Sequence, residues 1–222
     1  MFLVIFLLLA GFFTCTFGGF FERGEASLAA FFNWLPWLFL FLVPAAGMRL
    51  WSEERRLGTI ELLLTMPVAA WQAIVGKFLA SWLFLIVALA LTFPMIVTVN
   101  WLGDPDNGVI ACGYVGSLLL AGAYLALSCM TSALARSQVI SFIIAVMLCL
   151  ILILVGFNPV TDLLARWATP SVIESIAGFS VLTHFDGLQK GVIDSRDVLY
   201  FLSVMAFALF TTDVIIRSHR AG

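Results

Sequence analysis

Ser180 and His184 stand four residues apart, so on a helix they share one face, and Asp186 follows closely. A serine, a histidine and an acid are the parts of a hydrolase. The pattern stops there: no Gly-x-Ser-x-Gly elbow precedes it, and spacing places no third group against the histidine. A hydrogen bond across a helix interface is the ordinary use of such residues, and no catalytic residue is assigned. Cys15, Cys112, Cys129 and Cys149 lie within or at the edge of apolar runs, form no Cys-x-x-Cys pair and are far from His184 and His219. A disulfide framework or a metal site is disfavoured on that spacing. Gly76-Lys77 is followed by Phe78, and position 71 is Trp, so no phosphate-cradling loop is present and no cofactor is assigned to this chain. No basic patch suits nucleic acid. What remains is the segment Trp51-Ser-Glu-Glu-Arg-Arg-Leu-Gly-Thr-Ile-Glu-Leu-Leu-Leu-Thr-Met-Pro67, strongly charged between two long apolar runs. It mixes both charge signs with a leucine face. On a membrane protein such a loop is a docking surface for something soluble.

The elements that carry this segment follow from composition. Of 222 residues, 63% are hydrophobic and only 11% charged. A soluble domain carries about a quarter charged residues, so lipid must serve as solvent here. A spanning helix needs about 20 largely apolar residues, and the chain holds six such runs. They fall at about 1–20, 32–50, 78–101, 109–134, 138–157 and 197–216, and together predict one all-α membrane domain over 1–222. The amino terminus is apolar from Met1, has no positive leading segment and reads as a retained span. Pro44 and Pro94 should kink or open the second and third spans. In span four, Gly113, Gly116, Ser117, Ala121, Gly122 and Ala126 let backbones approach closely, for packing within the chain in preference to a dimer seam.

With the amino terminus inside, the inner face gathers Arg49, Arg55, Arg56, Lys77, Arg136, Arg217 and Arg220, and the outer face Arg23, Arg166, Lys190 and Arg196. Outer loops also hold most of the acids. The bias puts both ends in the cytoplasm. Trp34, Trp37 and Trp101 then lie at the outer interface, and Trp51, Trp71 and Trp82 near the inner one. A less apolar outer segment, 158–196, precedes the last span. Gly191 can end a helix within it, Asp194 or Ser195 can cap the span, and Asp197 suits its first turn. Asp213 and Arg217 are spaced for an intrahelical pair. No other acid lies within a span, so proton-coupled transport is disfavoured.

Residues 51–77 return along the inner face. Ser52-Glu-Glu-Arg-Arg56 is too mixed in sign for a polybasic lipid anchor. Gly58 breaks the run. Thr59 can cap a short helix over Ile60–Met66, with Glu61 in its first turn, Leu62, Leu63 and Leu64 on its apolar side, and Pro67 ending it. A second helix from about Val68 leads through Gly76-Lys77 into span three. A capped helix with an apolar side and a charged rim suits a groove on another protein. It equally suits lying on lipid beside Trp71.

The run Met48–Pro67, followed by Trp71 and Val75-Gly-Lys-Phe78, resembles the first cytoplasmic loop of type-2 ATP-binding-cassette permeases. It is most similar to the gliding-motility-associated and nitrous-oxide-reductase-maturation branches. The stretch Ser180–Tyr200 agrees with it. The resemblance implies a six-helix bundle of type-2 exporter architecture in the bacterial inner membrane, working as a dimer with a second permease copy or paralogue. It implies two ABC ATPase subunits that bind ATP and Mg²⁺, and a coupling helix at Gly58–Pro67. Glu53, Glu54, Arg55, Arg56, Gly58, Thr59, Glu61, Leu62 and Leu63 match the motif, and Pro67 closes it. Export and mechanical work on outer partners both fit, with a periplasmic or membrane-anchored auxiliary protein as a further partner. A haem-exporter-like permease and a non-transporting membrane assembly subunit are the alternatives. One departure is that the chain begins inside its first span, without the family's amphipathic entry helix.

Overall fold

The computed structural model describes residues 1–18, 27–59, 69–157, 159–160 and 178–218. All regular structure among them is helical. α1 spans Phe2–Phe12 and runs on into a π-helical stretch, Phe13–Phe17. α2 spans Ala29–Gly47, α3 Ser52–Leu57, α4 Ala70–Ala90 and α5 Phe93–Leu102. α6 spans Asn107–Leu134, α7 Gln138–Leu154, α8 Val181–Gln189 and α9 Ser195–Ser218.

Four stretches are long and apolar enough to cross a membrane: Ala29–Leu57, Ala70–Leu102, Asn107–Leu134 and Ser195–Ser218. The apolar helices Phe2–Phe17 and Gln138–Leu154 are shorter. At about 1.5 Å per residue they reach roughly 25 Å, somewhat less than a hydrocarbon core of about 30 Å.

Why these residues form these elements is readable locally. Asp106 accepts from the Gly108 and Val109 N–H groups at 2.8 and 3.3 Å and so starts α6. Asp194 accepts from the Arg196 N–H at 3.0 Å and starts α9. Pro94 falls in the first turn of α5, where its missing N–H does least harm, and the chain breaks between α4 and α5 just before it. Thr92 at that break donates to the Leu89 carbonyl at 2.6 Å and shares a hydrogen bond with the Tyr114 hydroxyl at 2.7 Å. Polar groups freed inside an apolar bundle are thereby met from within. Pro36 and Pro44, by contrast, sit inside a continuous α2.

α6 is the hub. Its small residues admit neighbours on several sides: Gly113 lies against Phe32 of α2, Gly116 against Leu188 of α8, and Gly122 against Met205 of α9 and Trp82 of α4. The glycine stripe therefore packs within the chain, as its spacing suggests. The main core draws on α1, α2 and α4 through α9. Large apolar side chains stay exposed at helical spacing on the outer faces: Leu79, Leu83 and Val87 of α4; Ile140, Ile143, Met147 and Ile151 of α7; Leu199, Phe207 and Phe210 of α9. In water this surface would be untenable for a monomer. In lipid it is the expected exterior.

Two tryptophans depart from the interfacial belt that the sequence suggests. Trp51 is 0% exposed and belongs to a second buried cluster with Ile74, Cys129, Ala133 and Ile216. Trp82 lies mid-helix and donates to the Leu118 carbonyl at 3.0 Å, in the middle of α6. Each indole N–H finds its partner inside the protein, which removes the reason for it to seek headgroups. Trp101, as expected of a belt residue, is highly exposed at the end of α5.

Candidate docking and coupling site

α3 is only one and a half turns long and cannot be stable alone. Its ends show what holds it. Ser132, near the C-terminus of α6, accepts from the N–H groups of Trp51 and Ser52, each at 3.0 Å, and donates to the Met48 carbonyl at 2.9 Å. A serine from another helix thus meets N–H groups that the start of α3 leaves open. In return, Arg55 of α3 donates to the carbonyls of Ala133 and Leu134, the latter at 2.6 Å. A cation at the carbonyl end of a helix also suits its dipole. The two helices therefore complete one another's ends.

Trp51 is the anchor beneath. Its indole N–H donates to the Cys129 sulfur at 3.2 Å. The Lys77 ammonium of α4 lies over its ring, 4.1 Å from the centroid. Lys77 donates to the Leu50 carbonyl at 2.9 Å and forms an ion pair with Glu54 Oε1. Glu54 Oε2 is buried and has no hydrogen-bond partner among the described residues.

α3 ends at Gly58, whose φ of +71° is left-handed and whose N–H donates to the Glu54 carbonyl. A side chain there would be strained, so the sharp exit from α3 requires glycine. The hydroxyl of Thr59 reaches back to the Glu54 carbonyl at 3.4 Å. The proposed short helix that follows, with Glu61, Leu62, Leu63 and Pro67, lies outside the described residues.

The described motif residues thus divide into two sets. Glu54 and Arg55 point into the bundle and are bound there. Glu53 and Arg56 face away, as a loose pair 3.9 Å apart whose side chains are 44% and 60% exposed. Leu57 beside them is 64% exposed, and Trp71 in the first turn of α4 is 53% exposed. Spacing alone missed Lys77, Ser132 and Trp51. Lys77 was readable as an inner-face cation but not as a partner of Glu54, and nothing local links Ser132 to a loop 80 residues away.

At the opposite end of the bundle, the suspected Ser-His pair resolves into structure. Ser180 accepts from the Leu182 N–H at 3.1 Å and caps α8. His184 bonds Asp197 Oδ1 through Nδ1 at 2.7 Å and the Gly178 carbonyl through Nε2 at 3.0 Å, and stacks on Tyr200 at 4.1 Å. Nδ1 thus ties α8 to α9, and Nε2 ties α8 to the chain that leads into it. Asp186 pairs with Lys190 and accepts from Gln189 at 2.8 Å. Beside this latch, α2 and α8 border an open cleft of about 530 Å³ lined by Asn33, Trp37, Phe157, Thr183 and Gln189. Among the described residues no group of His, Cys, Asp or Glu could hold a metal ion, and all four cysteines are free. Asp213 and Arg217 form the intrahelical pair expected of them, at 2.9 Å.

Comparison with known families now decides the class. The pattern described as ABC-2 family transporter protein matches residues 30–212. The chain belongs to the ABC-2 transporter family. It is a transmembrane permease component of an ABC transporter, a multi-pass membrane protein that is not itself catalytic. ABC-2 permeases generally work with ABC ATPase partners. No curated protein matches the chain.

Proposed function

We propose that this ABC-2 permease couples ATP hydrolysis on separate ATPase subunits to export, or to mechanical work, across the bacterial inner membrane. Residues 51–67 are the surface on which an ATPase docks. ATP and Mg²⁺ are bound by that partner. Glu53, Arg56, Leu57, Gly58 and Thr59 present the accessible part of the surface, and Glu61, Leu62, Leu63 and Pro67 complete it. Glu54 and Arg55 hold it to the bundle. The chain crosses the membrane six times, counting the two shorter apolar helices, with both ends in the cytoplasm, and works as a dimer with a second permease copy or paralogue. On the likeness of Met48–Pro67 we assign it to the gliding-motility-associated and nitrous-oxide-reductase-maturation branch.

The observation that carries this reading is the reciprocal capping of α3 and α6. A charged loop that merely lay on lipid would not require its first helix to be bolted to the central helix of the bundle. A loop that receives force would. The test is purification of the intact complex from membranes. The wild-type chain should retain an ATP-hydrolysing subunit. Leu57→Glu, which puts a charge on an exposed apolar position, should lose that subunit while the bundle keeps its thermal midpoint. Retention of the ATPase by Leu57→Glu would remove the docking role from this surface.

A further inference from the structure

We infer that Lys77 is the positioning residue that makes α3 and the first turns of α4 move as one body, and that Ser132 and Arg55 do the same for α3 and α6. This rests on the docking reading above and names how a displacement of the docking loop enters the helices.

Lys77 lies in the third turn of α4, 27 residues from Leu50 and 23 from Glu54. One ammonium group holds the carbonyl that joins α2 to α3, a carboxylate in the middle of α3, and the face of the buried Trp51 ring. These are separate attachments at different points of the docking segment. A single ammonium can serve them because it has three rotatable donors and a face-on attraction to the indole. Nothing else described ties α3 to α4 through a charged group. Removing Lys77 therefore takes away the charged tie between α3 and α4, while Ser132 and Arg55 still hold α3 to α6.

The test is hydrogen–deuterium exchange on the intact permease–ATPase complex, with and without ATP plus vanadate. In the wild-type complex, nucleotide should change exchange in α3, in residues 70–77 of α4 and in the last turn of α6 together. In Lys77→Met the response of residues 70–77 should disappear, while α3 and α6 still respond and the ATPase still co-purifies. Without nucleotide, the α3 amides of Lys77→Met should exchange at least about tenfold faster, since loss of even one charged hydrogen bond has that effect. Lys77→Arg should restore the response of α4 because it keeps the cation. Where Lys77→Met proves too unstable to purify, Glu54→Gln removes the ion pair at constant shape and should weaken the response of residues 70–77 without abolishing it, because the Leu50 and Trp51 attachments remain. A wild-type response of residues 70–77 in Lys77→Met or Glu54→Gln would overturn the inference, as would a Lys77→Arg chain that behaves like Lys77→Met. A wild-type complex that holds no ATPase would overturn the docking reading first, and this inference with it.

Discussion

Trp51 is the side chain on which the α3 end of the molecule most depends. It is fully buried, bonded to Cys129 and covered by Lys77. Trp51→Ala should lower stability by about 3–5 kcal/mol, the usual range for deleting a large buried aromatic. Thermal unfolding in detergent reads this directly. Ser132→Ala leaves the Trp51 and Ser52 N–H groups unmet and should cost about 1–3 kcal/mol by the same measurement. At the other end, His184→Phe keeps the ring over Tyr200 but loses the bonds to Asp197 and Gly178. It too should lower the midpoint, and combining it with Asp197→Asn should be less than additive because the two changes remove one shared contact. These dependences were only partly open to a reader of the sequence. Ser180 turns out to cap its own helix, whereas His184 was recognisable as an interface residue because no catalytic spacing surrounds it. The burial of Trp51 was not, since an indole beside a charged segment ordinarily marks the lipid interface, and its partner Cys129 lies 78 residues away.

At the scale of elements, two features control the site: the left-handed stop after α3 and the close packing of α6. Gly58→Val forces a β-branched residue into φ +71° and should cost about 1–2 kcal/mol locally. The consequence to measure is weaker ATPase co-purification with an unchanged bundle, because the strain falls on the exit from α3. Gly116→Leu drives a side chain into Leu188 of α8 and should lower the thermal midpoint by the equivalent of about 1–3 kcal/mol. The break before Pro94, the cap at Asp194, the glycine stop at Gly58 and the small-residue face of α6 were all legible, since each is a local rule of backbone geometry. Hydropathy alone puts the start of span three near residue 78. The helix itself begins at Ala70, as the reading of a helix leading through Gly76-Lys77 suggests. Helical order does not need the continuous apolar run that membrane burial does. The joining of α3 to α6 had no local signature at all, because it is made by one hydroxyl and one guanidinium across distant segments.

The described residues form a bundle that carries large apolar side chains on its outer faces as well as in its core, with polar structure toward its two ends. One end carries α3, Lys77 and the last turn of α6; the other carries α8, the His184–Asp197 latch and the start of α9. Composition makes the membrane class unavoidable, and the match to the ABC-2 family agrees with it. On the proposed function, the end that carries α3 is the one an ATPase engages. The most direct measurement is site-specific photo-crosslinking in intact cells, with the photoreactive residue at Leu57 in one experiment and at Arg196, at the opposite end of the bundle, in another. An adduct with an ATP-hydrolysing subunit from position 57 and none from position 196 is the expected result. No such adduct from position 57, or one formed only from position 196, would contradict it.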